Sequence, residues 1–193
     1  MPEQSTRKKI VGLGGTSRVN STSERLTRAV LRRCEDLGAD TILFDGPSLA
    51  ALPHFNPESA ERTEGQGALV EAVRAADGIV IGTPGYHGGY SGVVKNAIDL
   101  LEDLRGDRRS YFDGRPVGLV VAAAGWQACG TTLSALRDVV HAMRGWPTPV
   151  GIAVNSVEQK LFDPDGALVD PAVEAAVKMQ AEQIIAFATK VVR

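Results

Sequence analysis

The sequence contains little that could cross-link the chain or hold a metal ion. It has two cysteines, Cys34 and Cys129, and three histidines among 193 residues. Two cysteines so far apart in sequence form neither a disulfide framework nor a zinc site, so we expect no bound metal. Cys34 falls on the apolar face of a predicted helix and is expected in the core, whereas Cys129 falls in a glycine-rich segment that we predict to be a loop.

An excess of charge of one sign and long apolar runs are also missing. Lys and Arg number 21 against 23 Asp and Glu, and this net charge of −2 gives no electrostatic case for nucleic acid or for an anionic membrane. No segment reaches membrane-spanning length, and residues 1–9 lack the apolar core of a signal peptide. We therefore expect a cytoplasmic protein with a flexible N-terminus at residues 1–8 and a single domain at residues 9–193.

The apolar segments alternate between strand-like and helix-like patterns, which predicts a parallel sheet. Strands are predicted at residues 10–13, 41–44, 78–83, 116–123 and 148–154. Helices are predicted at roughly residues 22–37, 69–76, 93–104 and 133–143, and from Pro171, capped by Asp170, to about Val192. Residues 45–67 show no sustained period and are predicted to form a long irregular connection.

The first strand is followed by a loop rich in glycine and hydroxyl groups. Gly14 and Gly15 allow a sharp turn and a close backbone approach, and Ser21 with Glu24 matches the capping-box pattern at the start of the next helix. The first N–H groups of that helix have no intrahelical acceptor and lie at the positive end of its dipole, so they favour an anion. Hydroxyl and guanidinium donors near the same point are predicted to bind phosphate: Thr16, Arg18, Ser21, Thr22 and Ser23.

Comparison with two common phosphate-binding sequence patterns indicates which kind of phosphate group this loop suits. The nucleoside-triphosphate pattern Gly-x-x-x-x-Gly-Lys-Ser/Thr does not occur in the chain. The dinucleotide pattern is present in part: Gly12 and Gly14 fit it, Ser17 replaces its third glycine, and Asp45 is a candidate for its ribose-binding acid. That alternative stays open. A hydroxyl-rich loop better suits the terminal phosphate monoester of flavin mononucleotide (FMN), because a dianion has more exposed oxygens than a pyrophosphate diester.

Two further glycine-rich loops follow the third and fourth strands. In an open parallel sheet, ligands bind beyond the carboxyl ends of the strands, where these loops lie. Residues 84–92 carry Tyr86, His87 and Tyr90, which can bring aromatic surface and backbone amides to a planar ring. Residues 124–130 form the other loop, so we expect the three loops to enclose one ligand.

Two motifs resemble those of the NADPH-dependent FMN reductase family. They are residues 15–23, Gly-Thr-Ser-Arg-Val-Asn-Ser-Thr-Ser, and residues 83–99, which follow the family pattern Pro-x-Tyr-x-x-x-x-Ser/Pro-Gly-x-x-Lys-Asn-x-x-Asp. The likeness covers about residues 9–192 and implies an α/β fold, a flavodoxin-like doubly wound five-stranded parallel sheet in the order 2-1-3-4-5 with helices on both faces. The chain departs from the family at Gly85, where the family often has Glu or an amide-bearing residue.

The resemblance also implies roles for the matching positions. The five donors named above would hold the FMN phosphate. The residues that would line the isoalloxazine ring and approach its other edge are Pro84, Gly85, Tyr86, His87, Gly88, Ala124, Gly125 and Trp126. Transfer of hydride to the flavin requires no catalytic acid or base. His87 is a candidate proton source, but we expect its role to be structural.

The implied activity is that of an NAD(P)H-dependent FMN reductase. Hydride would pass from NADPH or NADH to flavin N5 and then to free flavin, a quinone, an azo compound or another small acceptor. The alternative is a flavodoxin-like electron carrier that does not oxidise NAD(P)H, although such carriers are more acidic than a net charge of −2. The resemblance further implies a homodimer or homotetramer, and a flavin-dependent monooxygenase as partner stays open.

Overall fold

The computed structural model describes residues 7–190, which form a parallel sheet with helices packed on it. The strands follow the order β2-β1-β3-β4, and two short strands, β5 and β6, both pair with β4 at the far edge. The predicted order 2-1-3-4-5 is therefore confirmed, with the fifth position shared by two strands. The strands are β1 (Lys9–Leu13), β2 (Asp40–Phe44), β3 (Gly78–Pro84), β4 (Pro116–Ala123), β5 (Trp146–Pro147) and β6 (Ile152–Asn155).

Helices cover both faces of the sheet, as expected. Successive strand residues point to opposite faces, so Val11 and Leu13 join one core while Ile10 joins the other. The first core receives side chains from α3, α4 and α5, and the second from α1 and α6. The helices are α1 (Thr22–Asp36), α2 (Gly46–Ala50), α3 (Glu64–Ala75), α4 (Gly92–Asp99), which continues into a 3-10 helix (Leu100–Leu104), α5 (Trp126–Ala142) and α6 (Pro171–Lys190).

The predicted fifth strand at residues 148–154 is wrong in its bounds, because the chain leaves the ladder between β5 and β6. Pro149 has no N–H to donate there, and proline is disfavoured inside a sheet. Side chains of α6 satisfy the backbone of Val150 instead: its N–H donates to Gln183 Oε1 at 3.0 Å, and its carbonyl accepts from Gln180 Nε2 at 2.8 Å. Hydrogen bonds from α6 thus stabilise the break between β5 and β6.

The connection predicted to be irregular, residues 45–67, contains the one-turn helix α2 and the first turn of α3. Asp45 caps α2 by accepting from Ser48 N at 2.9 Å and from Ser48 Oγ at 2.6 Å. These hydrogen bonds from Ser48 lower the pKa of the Asp45 carboxyl. Thr63 and Gln66 form a capping box at the start of α3. One turn is too short to show a helical period, which explains why the sequence pattern missed α2.

The flexible N-terminus and the end of α6 are the two predictions that concern the ends of the chain. Residues 1–6 and 191–193 lie outside the described residues, so most of the predicted flexible N-terminus and the last turn predicted for α6 do as well. Arg7 is described, and its side chain donates to the carbonyls of Gly38 and Ala39. Within residues 7–190, no helix combines the length and the apolarity that crossing a membrane requires.

Cys34 lies in the core, as expected from its place on the apolar face of α1. Burial, reinforced by the neighbouring charge of Glu35, raises the pKa of its thiol to about 12. The side chain is therefore protonated at neutral pH and acts as a small apolar residue.

Candidate active site at the strand ends

The loops after β1 and β3 are joined directly at the carboxyl edge of the sheet. Ser91 Oγ donates to the carbonyl of Gly15, and Ser91 N donates to Thr83 Oγ1 at 3.0 Å. Thr16 Oγ1 lies 3.4 Å from the Tyr86 hydroxyl oxygen. The predicted phosphate loop and the predicted ring-binding loop therefore contact each other directly.

Two glycines allow this close packing. A Cβ at Gly15 would lie 2.1 Å from the carbonyl oxygen of Gly82 at the end of β3. A Cβ at Gly46 would lie 1.7 Å from the carbonyl oxygen of Thr16. Neither contact tolerates a side chain, so the loop after β1 is held between β3 and the start of α2.

The predicted phosphate donors cluster around the N-terminus of α1. Thr16, Ser21 and Ser23 are buried, and Ser21 Oγ lies 3.3 Å from Ser23 Oγ. Ser21 is the N-cap, and its hydroxyl accepts from Glu24 N at 3.2 Å. Arg18 is exposed, and its guanidinium makes no hydrogen bond within residues 7–190. Hydroxyls, a free guanidinium and a helix N-terminus are donors that suit a phosphate monoester, so these residues fit the terminal group of FMN.

Glu24 does not complete the predicted capping box. Its carboxylate is buried and accepts from Arg28 Nε at 3.1 Å and Nη2 at 2.9 Å, and from Gly46 N at 3.2 Å. The carboxylate is thus turned toward α2 and neutralised by Arg28 instead of facing a bound phosphate. The i,i+4 pair with Arg28 is visible in the sequence, but the contact with Gly46 depends on how β2 returns beside β1.

The loop after β3 contains a tight two-residue turn. Tyr86 N donates to Gly89 O at 2.9 Å, and Gly89 N donates to Tyr86 O at 3.0 Å. Between them, His87 has φ of 53° and Gly88 has φ of 80°, the positive values that a type I′ turn requires. The Tyr86 side chain is 54% exposed, so its aromatic face is available to a ligand.

Gly85, the departure from the family pattern, packs against α5. A Cβ there would lie 2.9 Å from Ala123 Cβ, 3.0 Å from Thr132 Oγ1 and 3.2 Å from Ala128 O. A larger residue such as Glu would force α5 to move, so glycine is required at this position. Within residues 7–190, Thr132 Oγ1 of α5 is buried and has no hydrogen-bond partner.

The loop after β4 is shorter than the predicted residues 124–130. Helix α5 begins at Trp126, and its N-cap Gly125 supplies no side-chain hydrogen bond. Only Ala124 and Gly125 remain in the loop. Cys129, predicted to lie in a loop, is buried in α5. This burial raises the pKa of its thiol. Glycines at 125 and 130 obscured the helical pattern. The N-terminus of α5 is a donor group at this edge that the sequence did not reveal.

Trp126 stands at the outer rim of the site. Its side chain is 52% exposed, and Nε1 donates to Glu158 Oε2 at 2.8 Å. That hydrogen bond orients the indole beside the loop after β6. The structure therefore places the three predicted loops at one edge of the sheet. Within residues 7–190, no group of three or more His, Cys, Asp or Glu side chains is arranged to hold a metal ion.

Sequence comparison relates most of the chain to known flavoproteins. Residues 8–159 match the family model described as NADPH-dependent FMN reductase. The chain is similar to an FMN-dependent NADPH-azoreductase of Staphylococcus aureus (strain USA300), with 30% identity over 181 residues, which cover 90% of this chain and 91% of that protein.

Solved structures share the fold. A flavoenzyme NAD(P)H:(acceptor) oxidoreductase from Paracoccus denitrificans superposes with a TM-score of 0.75 at 21% identity, over 93% of this chain and 98% of that one. A WrbA-like flavodoxin from Agrobacterium tumefaciens superposes with a TM-score of 0.63 at 18% identity, over 96% of this chain and 100% of that one. These matches show that the fold is flavodoxin-like.

Proposed function

The chain belongs to the NADPH-dependent FMN reductase family, and from that membership we propose that FMN binds across the ends of β1, β3 and β4. The observation that carries the proposal is the junction of the first two loops. Ser91 bonds to the carbonyl of Gly15, and Tyr86 meets Thr16, so a phosphate donor and a ring-binding aromatic residue are in contact. A ligand with a phosphate at one end and a planar ring at the other suits this arrangement.

Each group of site residues has a proposed role in holding FMN. The phosphate is bound by Arg18, by the hydroxyls around it and by the first N–H groups of α1, which form a positive helix end. The ring lies against the residues of the turn after β3 and the start of α5: Pro84, Gly85, Tyr86, His87, Gly88, Ala124, Gly125 and Trp126. Because Gly85 is fixed between β3 and α5, its backbone offers the ring a rigid edge.

FMN, when bound, accepts hydride from NADPH or NADH and passes reducing equivalents to an acceptor. The protein contributes position and electrostatics. The N-terminal N–H groups of α5 have no side-chain cap at Gly125, so they are available to stabilise negative charge that develops beside them. His87 serves the turn geometry, because its positive φ is a backbone requirement of the loop.

We propose a small organic acceptor, with an azo compound first because the similar Staphylococcus aureus protein is an NADPH-azoreductase. Free flavin and quinones are the next candidates.

We further propose a cytoplasmic homodimer or homotetramer, supported by the exposed aromatic side chains of Tyr86 and Trp126 at the site rim, which a second copy would cover. A flavin-dependent monooxygenase is the proposed protein partner if free flavin is the acceptor.

Steady-state turnover tests this proposal. Protein loaded with FMN is mixed with NADPH or NADH and with an azo dye, a quinone or free FMN, and NAD(P)H oxidation is followed. We expect oxidation that depends on both bound FMN and acceptor. Full FMN loading without oxidation of either nicotinamide cofactor would contradict the reductase and favour the electron carrier.

A further inference from the structure

A cavity lies away from the proposed FMN site, between α1 and α6. Its volume is about 700 Å³, within the range of small-molecule sites. The apolar part of its lining comes from Ala29, Phe162, Leu168 and Val177. Asn20, at the end of the phosphate loop, also lines it, and the two predicted ring-binding segments, residues 84–88 and 124–126, contribute nothing to it. The groove between α1 and α6 is therefore a separate concave surface.

The groove concentrates positive charge on a chain whose net charge is −2. Four arginines of α1 line it, at positions 25, 28, 32 and 33, and Lys178 of α6 faces them. Spacings of three and four residues bring Arg25, Arg28 and Arg32 to one face of the helix, where like charges repel. Such crowding opposes helix formation, although the pair with Glu24 stabilises Arg28.

Among the residues that the structure describes, three of these cations have no ion-pair partner. Arg28 pairs with Glu24, and Arg33 pairs with Asp36 at 3.1 Å. Within residues 7–190, no carboxylate lies within ion-pair distance of Arg25, Arg32 or Lys178. The groove contains one further carboxylate, that of Glu174. Three unpaired cations against one carboxylate leave the groove suited to an anion.

Arg25 also provides a flat surface in the groove. Its guanidinium carbon lies 3.7 Å from the centroid of the Phe162 ring, which holds the guanidinium over the ring. Gly166 has φ of 91°, and a Cβ there would lie 3.4 Å from Arg25 Nη2, so the absence of a side chain leaves room beside the arginine. Guanidinium planes stack on planar rings, including nucleic acid bases.

We propose that this groove binds an organic polyphosphate of nucleoside diphosphate size, with its phosphates on Arg32 and Lys178 and its base against Arg25 and Phe162. The concave shape and the 700 Å³ volume favour a small molecule over the flatter surface of an acidic protein. The proposal does not depend on FMN chemistry at the strand ends.

Titration calorimetry with ADP tests the proposal on full-length protein saturated with FMN, at low salt. We expect ADP binding that is weakened about tenfold or more in the double variant Arg32→Glu, Lys178→Glu, because each substitution replaces a charge-assisted contact with repulsion. The control double variant Lys9→Glu, Arg105→Glu makes the same change of charge outside the groove and should bind ADP like the unmodified protein. FMN absorbance and thermal unfolding confirm that each variant is folded.

Each outcome decides the proposal. Absence of ADP binding, or equal weakening in both double variants, overturns it. If the Glu variant does not fold, Arg32→Gln with Lys178→Gln takes its place, and ADP affinity unchanged in that variant also overturns it. Inorganic pyrophosphate serves as the second probe: weaker binding than ADP supports the base platform, and equal binding overturns the assignment of a nucleotide.

Discussion

Thr16 is held between two segments that are distant in the sequence. Its carbonyl oxygen packs so closely on Gly46 that no Cβ fits there, and its hydroxyl lies 3.4 Å from that of Tyr86. These contacts are made within the protein itself, so they restrict the conformations of the loop after β1. A preorganised loop loses less conformational freedom on binding, which leaves more of the interaction free energy for affinity.

Arg18 gives the most direct test of the phosphate loop at the level of a single residue. Its guanidinium has no partner within residues 7–190, so Arg18→Ala should leave the fold intact. We expect FMN affinity to fall by about 1.5–3 kcal/mol, the usual range for a hydrogen bond to a charged group. Riboflavin, which lacks the phosphate, should bind the variant and the unmodified protein equally in a fluorescence titration. Arg105→Ala, at an exposed position, is the control; an equal loss for both flavins would place Arg18 elsewhere than at the phosphate.

His87 tests the geometry of the turn after β3. Asn is tolerated at positive φ, whereas a β-branched residue is strained there by about 1–2 kcal/mol. We therefore expect His87→Asn to keep the free energy of unfolding and His87→Val to lower it by about that amount, measured by urea denaturation. Equal stability of the two variants would show that the backbone at this position does not require a left-handed conformation.

At the scale of elements, the start of α1 is fixed by contacts on both sides. Ser21 caps the helix, and Glu24 reaches across to the first N–H of α2 while pairing with Arg28. Helix, loop and the segment after β2 are thereby locked to one another. This contact places the positive end of α1 at the site with its own acidic residue already neutralised.

Substitution of Glu24 should loosen this junction. Glu24→Ala leaves Gly46 N without its acceptor and Arg28 with only the ion pair to Asp45 at 3.7 Å, and we expect a loss of about 1–3 kcal/mol in the free energy of unfolding. Glu24→Gln retains an oxygen that can accept from Gly46 N, so its loss should be smaller. Urea denaturation of both variants measures the difference; a larger loss for Gln than for Ala would contradict the role assigned to the Gly46 contact.

Elements with a sustained sequence pattern were predictable, and those set by tertiary contacts were not. Strand β4 and the start of α6 match their predicted positions because an apolar run and a proline with an N-cap mark them. The break between β5 and β6 depends on Gln180 and Gln183, which belong to a helix far along the chain. In the site, the hydroxyls and glycines were visible, but the turn of Glu24 toward Gly46 and the early start of α5 required the packed structure.

At the scale of the whole molecule, the parallel sheet brings three loops from separate parts of the chain to one edge. This follows from topology: the strands on which these loops lie, β1, β3 and β4, are neighbours in the sheet and point the same way. The N-termini of α1 and α5 open at the same edge, which concentrates backbone donors there. Family membership gives the chain its chemistry, the oxidation of a nicotinamide cofactor by FMN, and we propose that this edge is where it takes place.

The measurement that tests this central claim most directly is the visible absorption spectrum of the FMN-loaded protein, mixed with NADPH in the absence of oxygen. The same mixing with NADH compares the two nicotinamide cofactors. We expect the flavin band to bleach within the time of a catalytic turnover and to return when an acceptor is added. A bound flavin whose band neither NADPH nor NADH bleaches would contradict the account and identify an electron carrier instead.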